Sequence, residues 1–477
     1  MNEVFLAIDI GASSGRHIIG ILSEGRIQLK EIYRFENRLI KKNGHLCWDL
    51  DHLMNQVIQG MQKVKADGYE PVSMGIDTWG CDFVLLDDNN RVISDAVSYR
   101  DHRTDHIRDE LEQKGILSFA QCYQRTGIQY QKFNTIYQLC ALNKEQPEIL
   151  ADARTFMMIP DYLNFVLTGI KANEYTNAST TGLLNARTKQ WDTELIQKLH
   201  LPRDLFLPLQ MPGTVLGRLR PKIQKETGLD MEVILPATHD TGSAYLAVPA
   251  AGDHSVFLSS GTWSLMGTEC KEAITSAASM NANFTNEGGY GDTIRYLKNI
   301  MGLWMIQSVR KEEGQKKKTV PSFPELIHQA KKFEQIDAII NVDEPDFLAP
   351  ESMEQAVLEA CHRKGITIPQ TTGAILQVIY NSLADDYRRT IQTLQQLTGR
   401  SYADIHIVGG GCQDQYLNQK MADAADLPVY AGPVEGTALG NLLVQMIHAR
   451  IFPNLQIARN TVMNSFPITA YLPKTKS

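Results

Sequence analysis

The feature that most constrains the fold of this chain is a pattern that occurs twice, once near the start of each half. An apolar run, VFLAIDI, leads into the small-residue turn GASSGR and the alternating run RHIIGIL; the second half restarts with VFLSSGTWSLMGTE. Apolar runs bounded by glycine and serine in this way predict strands joined by tight turns. The pattern therefore predicts two halves that begin alike, and no shorter repeat suggests a solenoid.

Composition narrows the class of protein. The 477 residues are 43% hydrophobic and 21% charged, which excludes intrinsic disorder as the main state. With 47 basic and 54 acidic residues the net charge is −7, so nothing indicates nucleic acid or an acidic membrane as a partner. No apolar run approaches the ~18 residues of a membrane span. We expect a cytoplasmic protein, and the sequence leaves its oligomeric state open.

The seven cysteines are scattered, odd in number and without a C-x-x-C pair. In a cytosolic protein this pattern indicates reduced thiols that fill the core or lie near the site. The sequence does not decide whether any of them pair.

The first half is predicted to mix strands and helices. Strand, turn, strand, turn and strand should form an antiparallel meander over residues 4–36, followed by a helix that Asp51 caps and that stops at Gly68. A strand, PVSMGID, then precedes a hairpin turning at Asn89-Asn90. Residues 100–230 are predicted to be mainly helical, with NEYTNASTTGLLN as a polar loop.

The second half follows a small-residue boundary at PAAGDHS, so we expect domains at 1–248 and 249–460 and a frayed tail at 461–477. A long helix is predicted at about 373–397, with a capping box of Ser322 and Glu325 before a shorter one. A strand, three glycines and a helix then follow in IVGGGCQDQYLNQ.

The first turn suits a phosphate group. Gly11 and Gly15 permit positive φ, the small residues between them leave backbone N–H groups uncovered, and Arg16 adds charge. Asp9, at the end of the strand, is a candidate to hold Mg²⁺ through water. An ordinary hairpin is an equally good interpretation. The turn also matches G-x-S-x-G around Ser13, which is the nucleophile elbow of serine hydrolases. That elbow needs a helix after the serine, and here a strand pattern follows.

Two further glycine segments are ligand candidates. SSGTWS, with Thr262, repeats the first turn, and two such turns could hold one triphosphate from both sides. In IVGGGC the absence of side chains lets a flat ligand approach the backbone. The alternative for this triple glycine is close packing of strand and helix.

Two polar segments suit sugar chemistry. THDTGSAYLA places Asp240 at the mouth of a helix, whose positive end should keep the carboxylate ionised, as a proton acceptor requires. His239 could bind a hydroxyl group, although a helix cap and a turn histidine are the plainer interpretations. GIDTWGCDF combines Asp77, Trp79 and Asp82, which suit a sugar, or else a structural turn with a core tryptophan.

Taken together, GASSGR, GIDTWGCDFVLLD, ATHDTGSAYLAVPA, FLSSGTWSLMGTE, LKNIMGLWMIQ and IVGGGCQDQYLNQ resemble the FGGY carbohydrate kinases, a branch of the actin-like ATPase superfamily. The resemblance covers roughly residues 4–450. It implies an α/β fold of two actin-like, ribonuclease H-like domains, each a mixed sheet flanked by helices, with the active site in the cleft between them. Cys81 departs from the aliphatic residue expected after Trp79-Gly80, and a thiol fills similar space.

The resemblance also implies transfer of the γ-phosphate of ATP, with Mg²⁺, to the 1-hydroxyl of L-rhamnulose. Asp240 would be the proton acceptor. The sugar contacts implied are Gly80, His239, Asp240, Thr241 and Asn299. The ATP contacts implied are Ala12, Ser13, Ser14, Gly15, Arg16, Thr262, Gln307 and Gly410.

Rival hypotheses come from other classes of protein. A sugar sensor on the same fold would lack Asp240, and a serine hydrolase would react covalently at Ser13. Among kinases, L-fuculose and then xylulose are the alternative substrates, because epimers differ only in the direction of one hydroxyl. Sugar and ATP are the only partners implied.

Overall fold

A computed structural model of the chain describes residues 3–250, 252–348 and 350–474. The chain forms two compact units. The first unit comprises Met1–Ala247, Glu269–Tyr296 and Gly436–Ser465, and the second comprises Val248–Thr268, Leu297–Glu435 and Phe466–Ser477.

The strands are β1 (Val4–Ile10), β2 (Ser14–Ser23), β3 (Arg26–Glu36), β4 (Leu39–Lys42), β5 (His45–Trp48), β6 (Ser73–Thr78), β7 (Phe83–Leu86), β8 (Thr155–Met158), β9 (Asn173–Glu174), β10 (Leu184–Asn185), β11 (Gln190–Trp191), β12 (Leu209–Gln210), β13 (Val215–Arg218), β14 (Glu232–Ile234), β15 (Ser255–Ser260), β16 (Trp263–Cys270), β17 (Thr285–Gly288), β18 (Ile294–Met301), β19 (Asp404–Val408), β20 (Val429–Ala431) and β21 (Thr469–Tyr471).

The helices are α1 (Leu50–Ala66), α2 (Ile107–Gln113), α3 (Phe119–Thr126), α4 (Thr135–Glu145), α5 (Pro147–Asp152), α6 (Ile159–Thr168), α7 (Tyr175–Ser179), α8 (Thr193–Lys198), α9 (Pro221–Thr227), α10 (Asp240–Leu246), α11 (Ala277–Asn281), α12 (Trp304–Lys317), α13 (Phe323–Lys331), α14 (Met353–Arg363), α15 (Thr372–Thr398), α16 (Gln415–Ala425), α17 (Gly436–His448) and α18 (Leu455–Ser465). Short 3-10 turns cover Arg203–Leu205, Tyr290–Asp292, Pro345–Phe347 and Gly410–Gln413.

The main sheet of the first unit has the strand order β13-β14-β6-β1-β2-β3. β14, β6 and β1 run parallel, while β1, β2 and β3 form the predicted antiparallel meander. β1 is almost wholly buried, as its mainly apolar sequence predicts for a central strand. The apolar positions of α1 pack into the same core.

The second large sheet has the strand order β17-β18-β16-β15-β19-β20-β21. β15 pairs antiparallel with β16, so the second glycine turn is also a strand–turn–strand, as predicted. The predicted long helix is α15, and the capping box of Ser322 and Glu325 begins α13. Both mixed sheets are flanked by helices.

Some local predictions were wrong. Asp49, not Asp51, caps α1, since its carboxylate accepts from the backbone N–H of His52. The predicted hairpin at Asn89-Asn90 is present, since Val92 bridges antiparallel to Leu86, but β7 also pairs with β8, which was not predicted. The polar segment predicted as a loop contains α7, and the tail forms β21 against β20.

The structure pairs none of the seven cysteines in a disulfide. Within the described residues, none of the helices has the length and apolar character needed to cross a membrane.

A buried histidine makes the stability of the first unit depend on pH. The ring of His17 on β2 is fully buried beneath α1 and lies directly against Gly60, and Nε2 donates to the carbonyl of Val57 at 3.0 Å. Burial lowers the pKa of His17 to about 4, from 6.5. Between pH 4 and pH 6.5 the unfolded chain therefore binds a proton at this histidine, whereas the folded chain does not.

We expect this contribution to stability to be complete above pH 6.5 and to be lost as the pH falls toward 4. Its full size is on the order of 3 kcal/mol. The check is the melting temperature of wild type and of His17→Leu across this pH range. The difference between the two should shrink toward acid, and parallel curves would contradict the assignment.

Candidate active site

Three aspartates gather at one edge of the first unit's sheet. Asp9 in β1 and Asp77 in β6 are direct neighbours in the parallel register. The chain that leaves β14 runs along the end of β6, where the N–H of Thr78 donates to the carbonyl of Thr238 at 2.8 Å. This path brings Asp240 to the same edge, because parallel strands end on the same side of a sheet.

Asp77 is the most buried of the three. Its Oδ2 accepts from Nδ2 of Asn441 in α17 at 2.6 Å, while its Oδ1 is buried without a hydrogen-bond partner. Burial, and next the negative charge of Asp9, raises the pKa of Asp77 well above its usual range, against the bond from Asn441. Sequence reasoning missed Asn441, for which the only signal was an amide inside an apolar helix.

Asp9 and the first glycine turn meet through an ion pair. Nη2 of Arg16 lies 2.6 Å from Oδ2 of Asp9 across the β1–β2 pair. The turn closes through the N–H of Gly11, which donates to the carbonyl of Ser14 at 2.9 Å. Ser13 at its tip is exposed.

The two glycines of this turn do not use the positive φ that the sequence suggested for them, since neither Gly11 nor Gly15 has one. Gly15 is required instead because a Cβ there would lie 2.2 Å from the ring of Phe35. The turn leads into β2 and not into a helix, so Ser13 does not have the setting of a hydrolase nucleophile.

Asp240 begins α10, as predicted, and its Oδ1 accepts from the N–H of Thr241 at 2.6 Å. The helix end was expected to keep this carboxylate ionised, and burial opposes that effect. Burial outweighs the nearby His239 and the bond from Thr241, and with the charge of Asp9 it raises the pKa of Asp240. The side chain keeps 33% of its exposure, which leaves the carboxylate open to a ligand.

Gly80 lies directly against Thr180 and His239, beside Asp240. A Cβ at Gly80 would come within 3.0 Å of Oγ1 of Thr180 and 3.3 Å of Nε2 of His239. Cys81, the next residue, has a left-handed backbone, with φ of 74°. Its N–H donates to Oγ1 of Thr180 at 3.3 Å, and its carbonyl accepts from Oγ1 of Thr135 at 2.6 Å. Hydrogen bonds from both sides therefore hold a backbone conformation that costs free energy.

Trp79 and Asp82 have a structural role. The indole of Trp79 is buried against that of Trp48, with the ring centroids 4.2 Å apart. Both indole N–H groups donate to Oδ2 of Asp82, and Gln138 donates to Oδ1. The plainer of the two interpretations, a structural turn with a core tryptophan, is therefore the one that the structure supports.

Glu174 connects α7 to the segment that carries His239 and Asp240. Its carboxylate is fully buried and accepts from the N–H and hydroxyl groups of Thr176 and Thr238 and from the N–H of Asn177, at 2.6–3.1 Å. Sequence reasoning missed Glu174, because its partner Thr238 lies 64 residues away.

In the second unit, the three glycines after β19 have two distinct roles. A Cβ at Gly409 would lie 2.8 Å from the carbonyl oxygen of Ser260, and one at Gly411 would lie 1.9 Å from its hydroxyl. These two glycines allow the turn to pack against the end of β15. A Cβ at Gly410 would meet nothing within 4 Å, so this glycine alone is open to a ligand.

Gly410 borders a cavity of about 910 Å³ within the second unit. Leu303 and Tyr416 contribute apolar surface, and Lys331 and Lys420 lie over the Tyr416 ring. The volume is in the range of small-molecule sites.

The other predicted residues of the second unit lie on neighbouring elements. The carbonyl of Thr262 accepts from the N–H of Trp304, which begins α12, and Gln307 lies one turn further along that helix. Asn299 lies on β18, beside β16, and its Oδ1 is buried without a hydrogen-bond partner. An orphaned amide oxygen of this kind is available to a ligand.

The candidate residues thus form two groups. The first unit holds Asp9, Ala12 to Arg16, Gly80, His239, Asp240 and Thr241, and the second holds Thr262, Asn299, Gln307 and Gly410. In the described ranges no three His, Cys, Asp or Glu side chains are arranged to bind a metal.

Both halves of the chain match the FGGY family of carbohydrate kinases. The N-terminal domain of the family matches residues 4–247, and its C-terminal domain matches residues 256–449. The α/β fold is that of a carbohydrate kinase. The chain belongs to the FGGY family of carbohydrate kinases.

Curated relatives match along the whole chain. A protein named rhamnulokinase from Oceanobacillus iheyensis is 45% identical over 475 residues, which is 100% of this chain and 99% of the relative. A protein of the same name from Bacillus subtilis is 45% identical over 472 residues, which is 99% of this chain and 96% of the relative.

Solved structures share the fold at lower identity. The gluconate kinase from Lactobacillus acidophilus has a TM-score of 0.82 at 17% identity, covering 100% of this chain and 94% of that chain. The Plasmodium falciparum glycerol kinase with ADP has a TM-score of 0.77 at 16% identity, covering 99% and 94%.

We predict that Glu174→Gln lowers turnover about 10- to 100-fold, because the amide cannot accept every donor of Thr176 and Thr238 and the segment before Asp240 shifts. Asp161→Asn is the matched control. Asp161 is equally buried and accepts from Glu174 N–H and Asn173, but has no bond to residues 236–240.

The measurement is steady-state kinase kinetics together with thermal melting of both variants. Both should lose stability, but only Glu174→Gln should lose turnover. An equal effect of the two variants on turnover would contradict the positioning role.

Proposed function

We propose that this protein transfers the γ-phosphoryl group of ATP to the 1-hydroxyl of L-rhamnulose, giving L-rhamnulose 1-phosphate and ADP in L-rhamnose breakdown. The observation that carries the proposal is the placement of Asp240 beside Asp9 and Asp77 at one sheet edge. The choice of sugar draws on the relatives named rhamnulokinase, at 45% identity over their full length.

Asp240 is the proton acceptor in this proposal. A base works best when its pKa approaches the working pH, and burial moves the pKa of Asp240 in that direction. His239, Thr241 and Gly80, which lie around it, and Asn299 of the second unit contact the sugar.

ATP is assigned to the glycine-rich turns. Ala12 to Arg16 and Thr262 would bind the phosphates through backbone and hydroxyl donors, because small side chains allow close approach. Gln307 and Gly410 would contact the nucleoside, with the cavity beside Gly410 receiving the adenosine. The functional domains in this proposal are 1–248 and 249–460, with a tail at 461–477.

Mg²⁺ is proposed as the metal, held by Asp9 through water. The site fits a hard cation: its donors are carboxylate oxygens, and after burial the negative charge of Asp9 also raises the pKa of both Asp77 and Asp240. A cation there would relieve this repulsion. When bound, Mg²⁺ supplies charge neutralisation at the phosphates.

We further propose that the protein acts in the cytoplasm with only sugar and ATP as partners, in keeping with its net charge of −7. The direct test of function is an ADP-release assay with a panel of ketoses and polyols. L-rhamnulose should give the highest kcat/KM. A higher value for L-fuculose or xylulose would move the assignment to that sugar.

We predict that Asp240→Asn keeps ATP and sugar binding but loses about 10²–10⁴-fold in turnover, because an amide cannot accept the hydroxyl proton. Binding is measured by calorimetry and turnover by ADP release. Asp204→Asn, which changes an exposed carboxylate of the same unit, should behave as wild type. Turnover close to wild type in Asp240→Asn would rule out the role.

We predict that Asp9→Asn raises the Mg²⁺ concentration needed for half-maximal activity and lowers turnover, because charge neutralisation provides much of the catalysis in phosphoryl transfer. A Mg²⁺ titration at saturating ATP and sugar measures both effects. An unchanged Mg²⁺ requirement would remove Asp9 from the metal site.

A further inference from the structure

We propose that Arg295 and Glu287 hold His239 in the tautomer that carries its proton on Nε2, so that His239 offers the substrate a hydrogen-bond donor beside the acceptor Asp240. The inference rests on the proposed function only in that the oxygen addressed belongs to a sugar. Arg295 and Glu287 are positioning residues here, since they reach the substrate only through His239.

Arg295 makes the decisive contact. It lies on β18 within the first unit and is fully buried. Its Nε donates to the carbonyl of Gly288 at 2.8 Å, and its Nη2 lies 3.1 Å from Nδ1 of His239 in hydrogen-bond geometry. A guanidinium group has donors and no acceptor, so this contact requires a lone pair on Nδ1.

Glu287 compensates the charge of Arg295. Its Oε2 lies 3.1 Å from Nη1 of Arg295 and 3.4 Å from Nδ1 of His239. Burial by itself would raise the pKa of Glu287, but the charge of Arg295 opposes it, and the net pKa is lowered. The ionised carboxylate therefore pairs with the guanidinium and keeps it in place.

The opposite tautomer fits these contacts poorly. A proton on Nδ1 could reach Glu287, but it would face the N–H of Arg295 across 3.1 Å and break that hydrogen bond. On the other side of the ring, Nε2 lies 3.4 Å from Oδ1 of Asp240. Without a proton on Nε2, two acceptors would face each other there. Both sides of the ring thus require the proton on Nε2.

The consequence is a division of roles at the sugar site. Nε2 of His239 and Oδ1 of Asp240 are adjacent, and the missing side chain of Gly80 leaves space against Nε2. A sugar oxygen can accept from Nε2–H while a sugar hydroxyl donates to Asp240. His239 therefore selects an acceptor oxygen, and Asp240 remains the only base of the pair.

The tautomer can be measured without any substrate. In full-length protein labelled with ¹⁵N in the histidine rings, long-range proton–nitrogen correlation reports which ring nitrogen carries the proton. The His239 signals are those missing from His239→Gln. We expect the proton on Nε2, and a proton on Nδ1 overturns the proposal whether or not the protein proves to be a sugar kinase.

The positioning role is tested by substitution. Arg295→Met alone leaves the charge of Glu287 buried and unpaired, so we pair it with Glu287→Gln in a double variant. The His239 signals of this folded double variant should show both tautomers. A single Nε2 tautomer there would show that Arg295 and Glu287 do not set it. If the double variant does not fold, Arg295→Lys replaces it, because lysine keeps the positive charge but has fewer hydrogen-bond donors. Both tautomers of His239 would again support the role, and a single Nε2 tautomer would contradict it.

The donor role is tested by two variants of similar length. His239→Gln can place an N–H near the position of Nε2, and His239→Met cannot. We expect kcat/KM for the sugar to be about 10- to 100-fold lower in His239→Met than in His239→Gln, with KM for ATP unchanged in both. Equal losses in the two variants would overturn the donor role.

Discussion

The parallel pairing of β14, β6 and β1 is the constraint on which the rest of the site depends. It makes Asp9 and Asp77 neighbours and carries the following chain to Asp240, so three carboxylates share one edge. Such a group is costly to assemble, since each negative charge disfavours ionisation of the next. Burial is the main reason that the pKa values of Asp77 and Asp240 are raised, and the charge of Asp9 adds to it, while Arg16 pairs with Asp9.

Buried polar side chains from distant parts of the chain hold this edge in place. Asn441 bonds to Asp77, Glu174 bonds to Thr238, and Arg295 bonds to His239. Each is fully buried, so a lost partner would cost far more than a surface contact. The geometry of the candidate site is therefore tied to the stability of the first unit, because the same hydrogen bonds serve both.

The glycines show how one residue type serves different needs. Gly15 makes room for Phe35, Gly409 and Gly411 make room for Ser260, and only Gly410 opens onto a cavity. In the sequence these positions are indistinguishable, because a missing side chain permits both close packing and ligand approach. The neighbour brought in by the fold decides between the two.

The sequence by itself determined the mixed α/β class, the two strand–turn–strand starts, the long helix and the position of Asp240 at the start of α10. These follow from periodicity, turn residues and caps, which depend on neighbours within a few positions. The tertiary structure alone decided that β7 pairs with β8, that Trp79 is buried, and that burial raises the pKa of Asp240. It also supplied Glu174 and Arg295 as partners of the 236–240 segment. Burial and hydrogen-bond partners depend on side chains far apart in the chain, and no local pattern encodes them.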